Sequence, residues 1–404
     1  MFVLTMKNSF PELIYHVWNM DEPVPARLIK GSLSGVSSGV GEHVYSYGFG
    51  GGRGRSKTAG YDDAIKKIND IIKLASRGFN RLNGYEVEIN AIGYQLMKRP
   101  AAIEGHTVVT QAFLEKLKEI DSDEKSCDDL SNDIGLIEAS TEHFFKVEHA
   151  VIFDEFMDYI IQPEVKMYPV HNKLSAGGRI NKFTNGALRF KSIIENTRKL
   201  LHTLPRRIVI CDIDEVTQIT AMRGGAIIGS SHEFGGASSV FSSGSCGAIN
   251  PAAIKGMAES TGMSYQDIFE CLSNECGVKN FEDGFDSIKE LVDAIRQGNI
   301  NTLVGMFLAR LTFSIAGLVA LLGGIDMLII SGRLGVDSPA LRTTLIGKLG
   351  ILRLAIDENQ NEDDIKQATE ITGKGSKVKI VVARPEADKQ MAVEVMRLIE
   401  NSEK

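Results

Sequence analysis

The chain is poor in the features that would assign it a chemistry at once. Its 404 residues hold five cysteines, Cys127, Cys211, Cys246, Cys271 and Cys276, and no two of them form a CxxC pair. Cys271 and Cys276 lack a second pair, so zinc spacing is missing. An odd set of thiols in a large chain points to free, mostly buried cysteines and a reducing compartment, hence the cytoplasm. No basic excess is present: the formal net charge is −7. That argues against nucleic acid and against an anionic membrane as partners, since both need a basic face. In "LTFSIAGLVALLGGIDMLII", Leu311 to Ile330, the flanking Arg310 and the internal Asp326 limit the fully apolar part to about 15 residues, short of a membrane span. Gly323 and Gly324 divide it into a buried helix and a buried strand. The start, "MFVLTMKNSFPELIYHVWNMDEP", lacks the basic-then-apolar run of a secretory signal. The segment "SHEFGGASSVFSSGSCG" has His232 and Cys246 but no GxSxG elbow, and reads as a loop of small residues.

What is there is ordinary globular composition, 43% hydrophobic and 24% charged, in a chain long enough for two or three domains. Residues 2–6 and 13–18 read as a hairpin turned by "KNSFPE", where Pro11 suits a turn. "YDDAIKKINDIIKLASRG" places Ile65, Ile68, Ile71, Ile72 and Leu74 at helical spacing. "YEVEINAIGYQL", "HAVIFDEF", "RIVICDID" and "TQITAMRGGAII" read as strands, and "NTLVGMFLARLTFSIAGLVALLGG" as a long buried helix. "SPALRTTLIGKLG" opens with a Ser-Pro helix start, and a strand and a helix close the chain. The order predicts an α/β fold with mixed sheets flanked by helices, in two sheet-bearing halves.

"GGRGRSKT", Gly51 to Thr58, nearly spells a P-loop. Ser56 stands where the second glycine is required, and the preceding "HVYSY" alternates, unlike the buried strand that a P-loop follows. A solvated basic hairpin loop is the expected form.

The sharpest feature is "RRIVICDIDEVTQITAMRGGAIIGSS", in which Asp212, Asp214 and Glu215 crowd one turn. The stretch that follows, through "SCGAINPAAIKGMAESTGMSYQDIFECLSNECGV", keeps a frame of Gly247, Ile249 and Pro251. Together with "GGIDMLIISGRLGVDSPALRTTLIGKLGILRLAIDENQN", "NAIGYQLMKRP" and "VIFDEFMDYIIQP", it resembles the acetate kinase family, of the sugar kinase, Hsp70 and actin superfamily. The blocks fall in the family's order over most of the chain outside about residues 21–88. The resemblance implies a two-domain fold with an inter-domain cleft. It divides the chain into residues 1–150 with the C-terminal helix at about 386–404, and residues 151–385. It also implies a homodimer formed through the second half.

The same resemblance implies phosphoryl transfer from ATP to acetate or another short acyl acid, a reaction run by positioning and charge stabilisation. ATP or ADP with Mg²⁺ would be the cofactors, and a small carboxylate and a nucleotide the partners. Asp154 in "VIFDEF" matches the family's catalytic aspartate and would be the metal carboxylate. Ser331, Gly332, Gly335 and Ser338 match the adenosine-side loop, ahead of a helix N-terminus able to face an anion.

Other positions depart from the family. The first turn is Lys7-Asn8-Ser9-Phe10-Pro11-Glu12 where small donors belong, and Pro11 has no N–H to give. Tyr94-Gln95 stand where the family has His-Arg, and Gln95 has neither the charge nor the fork of arginine. In "NKFTNGALRF" Phe183 and Gly186 are kept, while Thr184 or Asn185 replaces histidine. Ser245 replaces the arginine of "T-R-x-G", and Val336, beside Asp337, replaces the metal glutamate.

The family's "H-L-G-N-G" phosphate turn is here Asp212-Ile213-Asp214-Glu215-Val216, without glycine. A carboxylate about 4–5 Å from a phosphate repels it by roughly 3–4 kcal/mol at an effective dielectric near 20. A metal ion would reverse the sign; without one the turn is expected to reject phosphate. Two functions follow. One is a carboxylate kinase whose phosphate site is rebuilt from Lys7, Lys98, Arg99 and Arg333. The other is a catalytically inactive relative serving as a nucleotide- or protein-binding scaffold, which requires no cofactor.

Overall fold

The computed structural model describes residues 1–402 apart from 49, 97–98, 101, 123–129, 172, 174–181, 183–184, 234–236 and 282–283. Cys127, Lys98, Phe183 and Thr184 therefore lie outside the described residues. The chain forms two compact units, Met1–Glu155 with Glu386–Lys404, and Phe156–Pro385.

The first unit runs β1 (Phe2–Ser9), β2 (Glu12–Asn19), β3 (Ala26–Leu33), β4 (Gly39–Tyr47), β5 (Gly50–Thr58), α1 (Tyr61–Asn83), β6 (Ile89–Leu96), β7 (Thr107–Val108), α2 (Gln111–Ser122), α3 (Ser131–His143) and β8 (Glu148–Phe153). The C-terminal helix α13 (Ala387–Ser402) completes it. The eight strands form one sheet in the order β5-β4-β3-β2-β1-β6-β8-β7. Its central strands are apolar on both faces because both are covered. On one face Thr5, His16 and Gly93 share a side, and α13 lies over them. A Cβ on Gly93 would fall 2.3 Å from Val395 Cγ2, so only glycine lets the helix approach this closely. On the other face, Tyr61 of α1 donates its hydroxyl to Asn8 Oδ1 at 3.2 Å, and Asn8 donates to Asp133 of α3 at 3.1 Å.

Two local expectations are corrected. The stretch "GGRGRSKT" is no loop: it lies within β5, which pairs with β4 from Gly39↔Thr58 to Tyr47↔Gly50. Helix α1 continues past Gly78 because Phe79 keeps the buried stripe going; it stops at Gly84, whose φ of +74° supplies the left-handed cap.

Two imidazoles sit deep in this unit. His16 is 4% exposed and His43 7% exposed. Burial lowers both to about pH 4; Asp388 opposes the shift at His16, while Lys67 adds to it at His43. An unfolded histidine titrates near 6.5, so below that pH the unfolded chain takes up protons that the folded chain refuses. Stability is therefore expected to fall as pH drops from 6.5 to 4, by up to about 3 kcal/mol per histidine. Urea midpoints at pH 7, 5.5 and 4 check this, and a midpoint that does not move over that window rules it out.

The second unit runs α4 (Pro163–Lys166), α5 (Ala187–Leu201), β9 (Arg207–Asp212), β10 (Gln218–Arg223), β11 (Ala226–Ser230), α6 (Pro251–Thr261), α7 (Tyr265–Glu270), α8 (Ile288–Arg296), α9 (Thr302–Leu322), β12 (Met327–Ser331), α10 (Arg333–Asp337), α11 (Pro339–Lys348), α12 (Glu358–Glu362), β13 (Ala368–Glu370) and β14 (Lys379–Ala383). Its sheet order is β11-β10-β9-β12-β14-β13, with β9, β12 and β14 parallel. Strand β9 is covered on both faces. Val209, Cys211 and Ile213 join the core that contains Leu303, Phe307 and Leu311 of α9. Ile208 and Ile210 join Phe190, Ile193 and Ile194 of α5. Helix α9 is long and apolar enough to cross a membrane by length and composition, but here one face of it forms the centre of this core. The single strand expected over "TQITAMRGGAII" is two, β10 and β11, because Gly224 and Gly225 take φ of +57° and +90° and turn the chain back.

Candidate functional site

The acidic turn follows from the period of β9. Residues 208, 210 and 212 point to one face, so Asp212 continues the row that packs on α5. There it meets Arg189, in the first turn of that helix. Arg189 Nε and Nη2 both donate to the Asp212 carboxylate, the second at 2.9 Å, and Nη2 also donates to Asp214 Oδ2 at 3.0 Å. This is a bidentate, charge-assisted fork. Burial disfavours the guanidinium, but Asp212 and Asp214 outweigh it and raise the Arg189 pKa. Burial pushes the Asp212 carboxyl up; Arg189 pulls it back and Asp214 adds to the rise.

From the other side Arg333 reaches the same turn. Its backbone N–H donates to Asp214 Oδ2 at 3.3 Å. Its Nη2 lies 3.5 Å from Asp214 Oδ1 and 3.7 Å from Glu215 Oε1. Glu215 turns its other oxygen to the Ser243 hydroxyl, and the Ile288 backbone N–H at the head of α8 donates to it at 3.3 Å. The turn is thus no bare acid: three carboxylates face two guanidinium groups. Arg189 was not singled out in the sequence, because the fork spans 23 residues and no local pattern couples the two positions.

The loop from β12 to α11 is held against this turn by backbone contacts. Ile213 donates its N–H to the Ser331 carbonyl at 2.8 Å and accepts from Leu334 and Gly335, each at 3.2 Å. The four residues expected to bind nucleotide all lie in this loop. Ser331 is fully buried, and its hydroxyl donates to the Ala383 carbonyl at 2.6 Å. Ser338 accepts the Leu341 N–H at 3.2 Å as the cap of α11. Gly335 lies against Ile330 and Ile213. Gly332 has φ of +83°, and a Cβ there would fall 2.0 Å from the Ile213 carbonyl oxygen. The serine side chains are therefore engaged with backbone groups, Ser331 across to β14 and Ser338 at the head of its own helix, and the glycines bring the loop onto the acidic turn. Gly332→Ala combines left-handed strain with a backbone clash, and is expected to cost at least about 2 kcal/mol; a thermal melt within a degree of the parent would contradict it.

Behind the loop, Arg342 of α11 is only 1% exposed. It donates to the carbonyls of Gly335 (2.9 Å) and Val336 (2.5 Å), to Asn361 Oδ1 (2.7 Å) and to the Asn361 carbonyl. Burial lowers its pKa to about 10, against the pull of Glu362 and Asp337. Asp337 is also paired with Arg384 at 2.9 Å.

Asp154 lies in the first unit, just past β8, 5% exposed. Its N–H donates to the Leu96 carbonyl at 2.9 Å, and Gln95 Nε2 donates to its Oδ2 at 3.0 Å. Among the described residues no group of three or more His, Cys, Asp or Glu side chains could hold a metal ion unaided. Mg²⁺ commonly uses one or two carboxylates with substrate phosphates supplying the rest, and the lone Asp154 fits that pattern. The carboxylates of the 212–215 turn fit it less well, being matched by arginines. Of the basic residues expected to rebuild a phosphate site, Arg333 reaches the turn, whereas Arg99 is engaged by Glu155: its backbone N–H donates to Glu155 Oε1 at 2.8 Å and its Nε lies 3.5 Å from Glu155 Oε2. Lys98 is outside the described residues.

Comparison with known proteins gives one consistent result. A sequence model of the Acetokinase family matches residues 41–393. Acetate kinase of Flavobacterium johnsoniae is 22% identical over 339 residues, covering 83% of this chain and 84% of that protein. Propionate kinase of Citrobacter koseri is 27% identical over 194 residues, 48% of this chain and 47% of that protein. The crystal structure of Porphyromonas gingivalis acetate kinase superposes with a TM-score of 0.83 at 17% identity, over 98% of this chain and 99% of that one. A propionate kinase from Francisella tularensis gives 0.78 at 18% identity, over 98% and 99%.

Proposed function

The chain belongs to the acetokinase family, and on that premise we propose that it transfers a phosphoryl group between a nucleotide and a short carboxylate such as acetate or propionate. The observation that carries this reading is the pair of guanidinium groups, Arg189 and Arg333, on the acidic turn. Phosphoryl transfer asks for positioned positive charge around the moving group, and Arg is the side chain whose fork matches it. In this reading the backbone of the 331–338 loop takes the nucleotide side, with Ser331, Gly332, Gly335 and Ser338 fixing its shape. Asp154, whose Oδ2 accepts from Gln95, would hold Mg²⁺. The bound ion would neutralise phosphate charge; the second unit's own part is to hold the two arginines in place.

A second reading is favoured by one observation: Asp214 already takes both guanidinium groups and the Arg333 N–H. A relative locked in that state would bind a nucleotide or a protein without turnover. Calorimetric titration of ATP and ADP with Mg²⁺, run beside an assay of ATP formed from acetyl phosphate and ADP, separates the two. Turnover supports the kinase; binding without turnover supports the scaffold; neither heat nor ATP overturns the nucleotide site altogether.

The proposal includes a homodimer. Helix α9 buries one face in the core and leaves Phe313 78% and Leu321 54% exposed on another, an apolar surface that suits a second copy. Light scattering at a dimer mass is the expected result, and Phe313→Glu should shift it to monomer. Free thiols at Cys211, Cys246, Cys271 and Cys276 agree with a cytoplasmic setting.

A further inference from the structure

Among the described residues, nothing covers one corner of the sheet of the first unit. Helix α13 packs on β1, β2, β6, β7 and β8, and on that same face β3, β4 and β5 carry Lys30, Val40, Val44, Arg53, Arg55 and Lys57 to the surface. The registers Lys30↔Ser46 and Ser46↔Gly51 put Lys30 in one face with the odd-numbered residues of β5. All six are exposed, Val40 by 63% and Val44 by 40%. Glu42 is the one acidic side chain among them, and Arg53 Nε holds it at 2.6 Å. Arg55 and Lys57 make no ion pair among the described residues. Four cations against one carboxylate leave a local charge of about +3 in a chain whose net charge is −7.

β5 is also the sheet's last strand. An edge strand directs alternate N–H and C=O groups outward, ready to pair with another chain. Gly50, Gly51, Gly52 and Gly54 leave Arg53 as the one bulky side chain in the first half of this edge, and no proline interrupts it. We propose that this corner docks an extended acidic segment of another protein, added to β5 as a further strand. Main-chain hydrogen bonds would supply register, and alternate Glu or Asp side chains would lie over Arg53, Arg55 and Lys57.

Charge selects this occupant over the others. A second copy paired through its own β5 would set cations against cations, which destabilises cross-strand pairs. Single-stranded nucleic acid would want aromatic platforms as well as charge, and none of the six exposed side chains is aromatic. This inference does not rest on the kinase reading.

The test uses the full chain and a fluorescent eight-residue peptide alternating Glu with Thr, followed by anisotropy at low salt. Binding is expected, with a Lys-Thr peptide failing to bind. The variant R53E/R55E/K57E, all solvent-exposed positions, should weaken binding at least about tenfold while its thermal melt stays with the parent. Two further peptides, N-methylated on one or the other alternate set of residues, tell strand addition from simple attraction: one of the two should lose binding at least about tenfold. Absent binding of the Glu-Thr peptide, equal binding by both methylated peptides, or undiminished binding to the triple variant overturns the proposal. Tighter binding of an eight-nucleotide oligo-dT would overturn it in favour of nucleic acid.

Discussion

Arg342→Met is expected to lower the unfolding free energy of the second unit by about 3–5 kcal/mol, one of the largest effects of any single side chain here. The reason is a count of orphaned acceptors. The guanidinium of Arg342 serves the carbonyls of Gly335, Val336 and Asn361 and the side-chain oxygen of Asn361. Methionine keeps the apolar stem and removes every donor, and Asn361 is fully buried, so water does not reach in to replace them. Each buried acceptor left without a partner costs about 1–3 kcal/mol. Arg342→Lys restores the charge but offers a point donor in place of a fork, and should recover only part of the loss. Denaturant midpoints read by a probe in the second unit check the series. A loss below about 1 kcal/mol for methionine would show that the site relaxes and lets water in. Because two of the carbonyls belong to the 331–338 loop, nucleotide binding by folded Arg342→Lys should weaken as well.

Much of this architecture can be read without coordinates, and the places where it cannot share a cause. β9, β12 and β14 read as strands because they are buried on both faces and their apolar runs are continuous. The Ser338-Pro339 pair marks the start of α11 through local chemistry alone. β5 escapes such reading: it is an edge strand of glycine, arginine and lysine, with no apolar alternation to betray it. The short helix α10 between β12 and α11 has no sequence mark either, since it forms where Leu334 and Gly335 bond to Ile213 of a distant segment. At the candidate site the carboxylates of the turn stand out at once, but their sign is only half of the electrostatics. The compensating Arg189 and Arg333 arrive from α5 and α10, and tertiary contacts alone bring them there. A repulsion argued from the turn by itself therefore overstates how strongly it rejects an anion.

Asp214→Asn should tighten the binding of ATP, or of inorganic phosphate, about 10- to 100-fold in the absence of Mg²⁺. Three carboxylates and two guanidinium groups leave the turn with one net negative charge. Neutralising Asp214 brings that sum to zero, removes the second carboxylate from Arg189 Nη2, which keeps its fork to Asp212, and takes from Arg333 the nearer of its two carboxylates. The asparagine oxygen can still accept the Arg333 N–H, so the loop keeps its shape. Removing one unit charge at about 4–5 Å from a phosphate is worth roughly 3–4 kcal/mol at an effective dielectric near 20, and reorganisation of the two arginines offsets part of it. Glu215→Gln is the matched control. One of its oxygens is held by Ser243 and the Ile288 N–H, and the other lies farther from Arg333 than Asp214 does, so its removal should change affinity less. With Mg²⁺ present the gain at Asp214→Asn should shrink, because the ion already pairs the phosphate charge. Equal affinity for parent and Asp214→Asn without Mg²⁺ would mean that no phosphate approaches this turn. A gain in affinity joined to a gain in ATP formed from acetyl phosphate would show that Asp214 itself restrains the transfer.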